Sequence, residues 1–371
     1  MSLSLAEMLT KQCHHDFDQD NSFSQTNLVS DGSVPAAIMD PNLINPWGLA
    51  SNGSGPFWVA DNGSGVATVY DGGGTPQSVG GHSSIAIAVP PGQTTPTSPT
   101  GEVFNFAHRG FDISSGGKTG PSVYLFATED GTISGWNPNV DAGSSVLAVD
   151  NSQGGSGAVY KGLTMGRIGN HTLLYAANFR NGTVDVFNSH FKQVNSFTDP
   201  HLPAGYAPFN VQVLGDHLFV TFALQNDAKH DDVAGAGHGF VDEFNLDGTL
   251  MHRVASRGPL DSPWGLAMAP SDFGKFSNDL LVGNFGDGTI NAFNPVTDKF
   301  LGKLDGANGT PVQINDLWAL ASGHGGLNGD PNKIYFTSGV QDEAHGLFGA
   351  LGMSPEHDRW SGLMAASHPH G

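Results

Sequence analysis

Two polar segments combine histidines with carboxylates, the residue types able to act as metal ligands or as acid–base groups. They are residues 224–239, LQNDAKHDDVAGAGHG, and residues 340–346, VQDEAHG. Neutral imidazoles and carboxylates together can complete the coordination shell of Zn²⁺ or Cu²⁺. We therefore predict one metal site with ligands from both segments, namely His230, His238, His345 and Asp342. The alternative is that these loop histidines are simply solvated.

A second set of side chains offers oxygen ligands. The motifs AANF and VGNF place an asparagine at the same point, and acid or amide residues occupy nearby points in related stretches. Such oxygens suit Ca²⁺. The alternative is that Asn and Asp occur there because they tolerate tight turns and hydrogen-bond the backbone. The predicted ligand-binding residues are Asp61, Asn62, Glu129, Asn178, Arg180 and Asn284.

Three tryptophans begin similar apolar runs. Trp47 and Trp264 start the sequence WGLA, and Trp318 starts WALA. Their rings are candidates for stacking on a sugar or an aromatic ligand. The alternative is that each forms an aromatic wedge between neighbouring sheets.

A repeated hairpin pattern must position all these residues. In LLVGNFGDGTINAFN, residues 280–294, an apolar run and a polar turn ending in glycine precede a run of alternating apolar and polar residues. This pattern is typical of a β-hairpin. Strand-like runs precede and follow the hairpins, so a unit has four strands. The turn glycines of the six copies are Gly65, Gly131, Gly182, Gly239, Gly288 and Gly346.

These units predict an all-β fold, a six-bladed β-propeller of four-stranded antiparallel blades. No outer strand is evident after Leu351, whereas residues 23–32, FSQTNLVSDG, form a strand-like segment. We predict that this segment completes the last blade and closes the ring, which removes two sheet edges. The predicted propeller spans residues 23–351, with tails at 1–22 and 352–371. In this strand order, the candidate residues lie on one face, over the central tunnel.

The composition excludes several classes of partner. The chain has 15 Lys and Arg against 35 Asp and Glu, a net charge of −20, which repels phosphate backbones and anionic lipid. We expect no nucleic acid and no membrane partner, and a monomer. No apolar run is long enough to span a membrane, and the start lacks the pattern of a signal peptide. With Cys13 as the only cysteine, no intrachain disulfide can form.

The quoted motifs carry a resemblance to known propellers. The PWGLA runs, with FWVADNGSG and LLVGNFGDG, are similar to NHL-type repeats. NLVSDG, NPWGLA, FATEDGTISGWNP, YAANFRNGTVDVFN and GNFGDGTINAFNP together resemble a bacterial family of conserved hypothetical six-bladed propellers, over about residues 27–351. The resemblance implies the fold and, because many such relatives look exported, an extracellular or periplasmic location. It implies no activity, although calcium-dependent propeller lactonases are similar in outline.

Three classes of function are therefore open. The first is a metal-dependent hydrolase or lyase acting on a small molecule, in which a divalent ion (Ca²⁺, Zn²⁺ or Cu²⁺) polarises a carbonyl or activates water. The second is a non-catalytic module that binds a saccharide, peptide or protein through the loop face. The third is a structural repeat protein with incidental metal affinity. A nucleophile elbow, GxSxG, is absent from the sequence.

Overall fold

The computed structural model describes residues 22–153 and 157–354, and that part of the chain is built from β-strands. The helical elements found there are two single-turn 3₁₀ segments, Gly274–Phe276 and Gly326–Asn328. No helix in the described ranges has the length and apolar character needed to cross a bilayer. Most of the predicted tails, residues 1–22 and 352–371, lie outside the described residues.

The strands follow one another as four-stranded units. Before the first unit come β1 (Phe23–Ser30) and β2 (Ile38–Met39). The first unit comprises β3 (Pro46–Ala50), β4 (Phe57–Asp61), β5 (Val66–Tyr70) and β6 (Ser84–Ala86). The second comprises β7 (Pro99–Phe104), β8 (Asp112–Ser115), β9 (Lys118–Pro121), β10 (Tyr124–Thr128), β11 (Thr132–Asn137) and β12 (Asp141–Asp150), with β8 and β9 forming a separate hairpin.

The remaining units have the same plan. The third comprises β13 (Tyr160–Ile168), β14 (His171–Asn178), β15 (Thr183–Asn188) and β16 (Gln193–Phe197). The fourth comprises β17 (Tyr206–Leu214), β18 (His217–Leu224), β19 (Gly239–Asn245) and β20 (Leu250–Ser256). The fifth comprises β21 (Pro263–Met268), β22 (Leu280–Asn284), β23 (Ile290–Phe293) and β24 (Phe300–Lys303), and the sixth begins with β25 (Leu317–Ser322), β26 (Ile334–Ser338) and β27 (Leu347–Met353).

The first strands of the six units form a closed ring. Following the chain, β3, β7, β13, β17, β21 and β25 each contact the next, and β25 contacts β3. Within each unit the strands pair antiparallel, and one parallel bridge between Ala86 and Ser144 joins the edges of the first two units. The prediction of an all-β propeller with four-stranded antiparallel sheets is confirmed. The inner strands surround an axis, so their ends define the tunnel.

The ring closes through the amino-terminal strand, as predicted. β1 pairs antiparallel with β27 from Phe23 opposite Met353 to Ser30 opposite Leu347. Phe23 is 2% exposed and its ring lies 4.7 Å from that of Phe273 in the fifth unit. The closing strand therefore contributes both backbone pairing and apolar burial, and it covers an edge that would otherwise be open.

The hairpins form because apolar residues alternate and glycines take the turns. Four of the turn glycines, among them Gly288 with φ of 68°, are in the left-handed region that side chains disfavour. At Gly288 a Cβ would also lie 2.3 Å from the carbonyl oxygen of Ile314. Between neighbouring sheets, Val184 of β15 and Val211 of β17 belong to one buried cluster, which shows how adjacent sheets share a core.

Candidate functional site

Large aromatic side chains from the starts of inner strands fill one end of the tunnel. Trp47 stacks on Trp318 with ring centroids 3.5 Å apart, and Trp264 meets the two edge-on at 6.4 and 5.8 Å. All three are at most 4% exposed. The rings cover one another because they converge, so little of their surface is left for the predicted stacking on a sugar.

Lys161 joins this aromatic group from the third sheet. Its ammonium nitrogen lies 4.8 Å from the ring centroid of Trp47 and 5.9 Å from that of Phe179, and the side chain is 2% exposed. The rings attract the charge, but a buried ammonium also needs a counter-ion. Lys161 was absent from the predicted site residues. The repeats contain a signal that could have identified Lys161, because KGL at 161–163 occupies the repeat position of WGL at 47–49.

Two carboxylates are the polar partners of Lys161, and an imidazole lies close to both of them. Its Nζ pairs with Oε1 of Glu129 and lies 3.6 Å from Oδ1 of Asp231. Nδ1 of His230 lies 2.7 Å from that same Asp231 oxygen and 4.0 Å from the same Glu129 oxygen. Across residues 22–153 and 157–354, Glu129, His230 and Asp231 are the one group of possible metal ligands whose donor atoms all lie within 4.8 Å of one another.

The close contact between His230 and Asp231 shifts their pKa values in opposite directions. The hydrogen bond to His230 lowers the pKa of Asp231 to about 2. The same bond raises the pKa of His230, against the opposing effect of its burial. Asp231 is therefore an anion at neutral pH and an acceptor for the imidazole.

A chain of amide hydrogen bonds extends the site to the first and sixth units. Nδ2 of Asn62 donates to Oε2 of Glu129 at 3.0 Å, and Nδ2 of Asn45 donates to Oδ1 of Asn62 at 3.4 Å. Asn45 also donates to Oε2 of Glu343 at 2.8 Å and accepts from Nε1 of Trp318 at 3.1 Å. The mouth cluster, as we call it, consists of Asn45, Asn62, Glu129, Lys161, His230, Asp231 and Glu343.

Negative charge exceeds positive charge in the mouth cluster. Burial, with the charge of nearby Glu129, raises the pKa of Glu343 to about 7. Burial likewise raises the pKa of Asp232, which interacts with Lys161. The three carboxyl groups of the mouth cluster and that of the adjacent Asp232 thus face one lysine and one histidine. Burial is the main cause of both raised pKa values, and a further positive charge nearby would favour the ionised forms of these groups.

Three of the predicted metal ligands lie elsewhere in the described structure. Nδ1 of His238 is 2.8 Å from the carbonyl oxygen of Val233. Nδ1 of His345 is 2.6 Å from Oδ2 of Asp31, on the loop that follows the closing strand. The structure does not bring His230, His238 and His345 together, because only His230 belongs to the group of close donor atoms found in the described residues. Asp342 donates its backbone N–H to Asp316 and likewise lies outside the group of close donor atoms.

The strand-end residues divide into two sets that differ by one position. Asp61, Asn178 and Asn284 are buried and hydrogen-bond within their own sheets, to Thr68, Asp185 and Asp287 respectively. The residues that follow them, Asn62, Phe179 and Phe285, contact the mouth cluster or the aromatic group. Successive side chains of a strand point to opposite sides, so a shift of one residue changes the surroundings. Nη1 of Arg180 donates to the carbonyl oxygen of Gly157 at 3.0 Å.

A small cavity of about 20 Å³ lies along the axis and is lined by residues from all six inner strands. One of these residues is Glu102, which is 6% exposed. Burial raises the pKa of Glu102 well above its ordinary value, and the backbone N–H of Ala50 opposes this only in part. Neither carboxyl oxygen makes a hydrogen bond of normal geometry to the protein. The cavity is large enough for one water molecule.

The ring of sheets and its filled axis define the class of protein, a β-propeller. The fold is similar to that of a solved structure described as streptogramin B lyase, with a TM-score of 0.50 and 12% identity, over 90% of this chain and 97% of that one. At this identity the similarity concerns the fold alone. No family model matches the sequence.

Sequence relatives identify the family more closely. Uncharacterized protein R648 of Acanthamoeba polyphaga mimivirus is 32% identical over 337 residues, which cover 87% of this chain and 78% of the relative. Uncharacterized protein L690 of the same virus is 33% identical over 333 residues, which cover 87% of this chain and 84% of the relative. The chain belongs to the family of these proteins. Since these relatives are viral, they give no support to the bacterial family suggested by the motifs.

Proposed function

We propose that the mouth cluster binds a divalent metal ion through Glu129, His230 and Asp231. The observation that carries this proposal is that donor atoms of the three side chains all lie within 4.8 Å of one another. One imidazole nitrogen and two carboxylate oxygens form a donor set that suits Zn²⁺ and related ions. Ca²⁺ fits less well, because it prefers a shell made entirely of oxygen.

The charge balance supports the same proposal. Lys161 can offset only part of the charge that Glu129, Asp231, Asp232 and Glu343 carry when all are ionised. The raised pKa of Glu343 is caused first by burial and then by the charge of Glu129. A divalent cation would lower the electrostatic cost of ionising these groups.

The activity that we propose is hydrolysis or lyase chemistry on a small molecule. A bound ion would supply Lewis acidity toward a carbonyl oxygen or a water molecule. Glu343, whose pKa burial raises to about 7, is suited to accept or donate a proton beside the ion. The aromatic group below the cluster excludes water from one side of the site.

Metal affinity can be tested with variants of two proposed ligands and a control histidine from the loop of one of them. We expect His230→Ala and Glu129→Gln to weaken Zn²⁺ or Mn²⁺ binding at least about tenfold, because each removes a ligand. His238→Ala is the matched control, since this histidine lies in the same loop but outside the group of donor atoms. Isothermal titration and metal analysis of the purified protein provide the measurement. Equal affinity in the wild type and all three variants contradicts the proposal.

Catalysis requires a separate measurement. A panel of lactones and esters should be turned over by the metal-loaded protein, and activity should fall after chelation and in Glu129→Gln. If the panel gives no turnover while glycans or peptides raise the melting temperature, the protein is a binding module of the loop face. Metal binding would then serve to order the loops.

A further inference from the structure

Lys161 occupies a position that a metal ion in the mouth cluster would also need. Its Nζ pairs with Oε1 of Glu129 and lies 3.6 Å from Oδ1 of Asp231. These are the same two oxygens that lie near Nδ1 of His230, at 4.0 and 2.7 Å. The lysine ammonium and an ion would therefore share their ligands, and two cations so close together repel each other.

We infer that Lys161 is a tethered cation that competes with metal ions for Glu129 and Asp231 and so sets the affinity and selectivity of the site. This inference rests on the proposed function, because it concerns the same ligands. An ion can bind these oxygens with full strength only when the ammonium group withdraws from them. Until an ion displaces it, the ammonium group of Lys161 neutralises part of the negative charge of Glu129 and Asp231.

The surroundings of Lys161 explain why this competition is effective. The side chain is 2% exposed, and its charge lies near the rings of Trp47 and Phe179, so the ammonium is held by aromatic faces as well as by carboxylates. Its backbone is held in β13, where Tyr160 and Gly162 on either side pair with Asn178 and Ala177 of β14. Withdrawal is consequently limited to the side chain, which must exchange a buried ion pair for new partners.

Lys161 is a charged residue at a repeat position that is occupied by tryptophan in three other units. The equivalent residues at the starts of other inner strands are Trp47, Trp264 and Trp318, which are packed against one another in the aromatic group. An apolar side chain is therefore compatible with this position. Replacement by methionine keeps an unbranched side chain beside the rings but removes the ammonium group and its ion pairs, so we expect the variant to fold with lowered stability.

The test is titration of Mn²⁺ into the full-length wild type, Lys161→Met, Lys161→Arg and Lys303→Met. We expect Lys161→Met to tighten Mn²⁺ binding at least about tenfold, because the competing charge is gone. Lys161→Arg keeps the charge and should not tighten binding. Lys303→Met removes another ion-paired lysine, 3.1 Å from Asp287 and outside the mouth cluster, and should change affinity less than about twofold because surface charges are screened.

The outcomes separate this inference from the proposed function. If the wild type binds Mn²⁺ through His230 but Lys161→Met binds no more tightly than Lys303→Met, the tethered cation is refuted and the metal site stands. If only Lys161→Met binds Mn²⁺, the competition is supported and the proposed function of the wild type fails. If neither the wild type nor Lys161→Met binds Mn²⁺, both proposals are overturned. Melting temperatures of the four proteins verify that each is folded.

Discussion

Glu102 places a carboxyl group where other repeats place an apolar side chain. In the TGE, WGL, KGL and WAL runs of the inner strands, Glu102 is equivalent to Leu49, Leu163, Leu266 and Leu320. All five residues line the same small cavity on the axis. Burial of a carboxyl group without good hydrogen bonds costs free energy, and that cost is larger when the group is ionised. Glu102 is therefore a source of local instability.

Replacement of Glu102 by leucine should stabilise the protein. We expect Glu102→Leu to raise the free energy of unfolding by about 1–3 kcal/mol near neutral pH, because it removes a buried polar group with no good partner. Urea unfolding measures the change. Glu102→Gln, which keeps a polar group but cannot ionise, is the control and should gain less.

The same substitution should change the pH dependence of stability. Because burial raises the pKa of Glu102 in the folded protein, the native state retains a proton that the unfolded chain loses. The wild type therefore loses stability as pH rises above the ordinary glutamate pKa of about 4.3, and the loss ends only at the raised folded pKa. The difference from Glu102→Leu should widen over that interval. A constant difference between pH 4 and pH 8 would argue against this account.

At the scale of single elements, the strand β1 closes the ring by joining the amino-terminal end of the chain to the last sheet. Its pairing with β27 supplies hydrogen bonds, while Phe23 packs on Phe273 and Phe276 of the fifth sheet, with ring centroids 4.7 and 6.1 Å away. The strand therefore joins the fifth, sixth and first units through contacts of different kinds.

Truncation of Phe23 should weaken this closure. We expect Phe23→Ala to lower the free energy of unfolding by about 3–5 kcal/mol, since the ring is 2% exposed and leaves a cavity. Thr26→Ala is the control on the same strand, because Thr26 is exposed, and it should change stability by less than about 0.5 kcal/mol. Urea unfolding followed by tryptophan fluorescence provides both values. Similar effects of the two substitutions would show that β1 closes the ring without apolar packing.

The whole molecule depends on closure of the ring rather than on the place where the chain begins. The backbone N–H of Ser354 donates to the carbonyl oxygen of Ser22 at 2.9 Å, so the two ends of the described structure are adjacent. Each inner strand contacts two neighbouring inner strands, so the contacts of the ring do not depend on which strand comes first in the chain. A different starting point should therefore be tolerated.

A circular permutant tests this property. Residues 354 and 22 would be joined by a short flexible linker, and the chain would open between Gly53 and Ser54, which lie in an exposed loop. We expect the permutant to keep the far-UV circular dichroism of the parent and to melt within about 5 °C of it. The unpermuted chain of residues 22–354 is the control for loss of the ends. Failure of the permutant alone would mean that the original order of the strands is needed.

The sequence by itself determined the architecture of this protein. Alternating apolar residues and turn glycines gave the hairpins, and the missing outer strand after Leu351 led to the closing role of β1, because these signals are local and repeated. It also brought His230, Asn62 and Glu129 into the set of candidate residues, since each lies in a turn between the second and third strands or next to one.

Only the tertiary structure decided which of these residues meet. Lys161 lies far along the chain from Glu129 and Asp231, and no local pattern states that a strand start will face two separate loops. The burial of Asp61, Asn178 and Asn284 depends on a shift of one residue at the strand end, which reverses the direction of a side chain. The partners of His238 and His345 depend on how each loop folds back on its own sheet. Contacts between distant segments follow from packing in three dimensions, and a periodic sequence specifies the sheets but not the side-chain pairs across the axis.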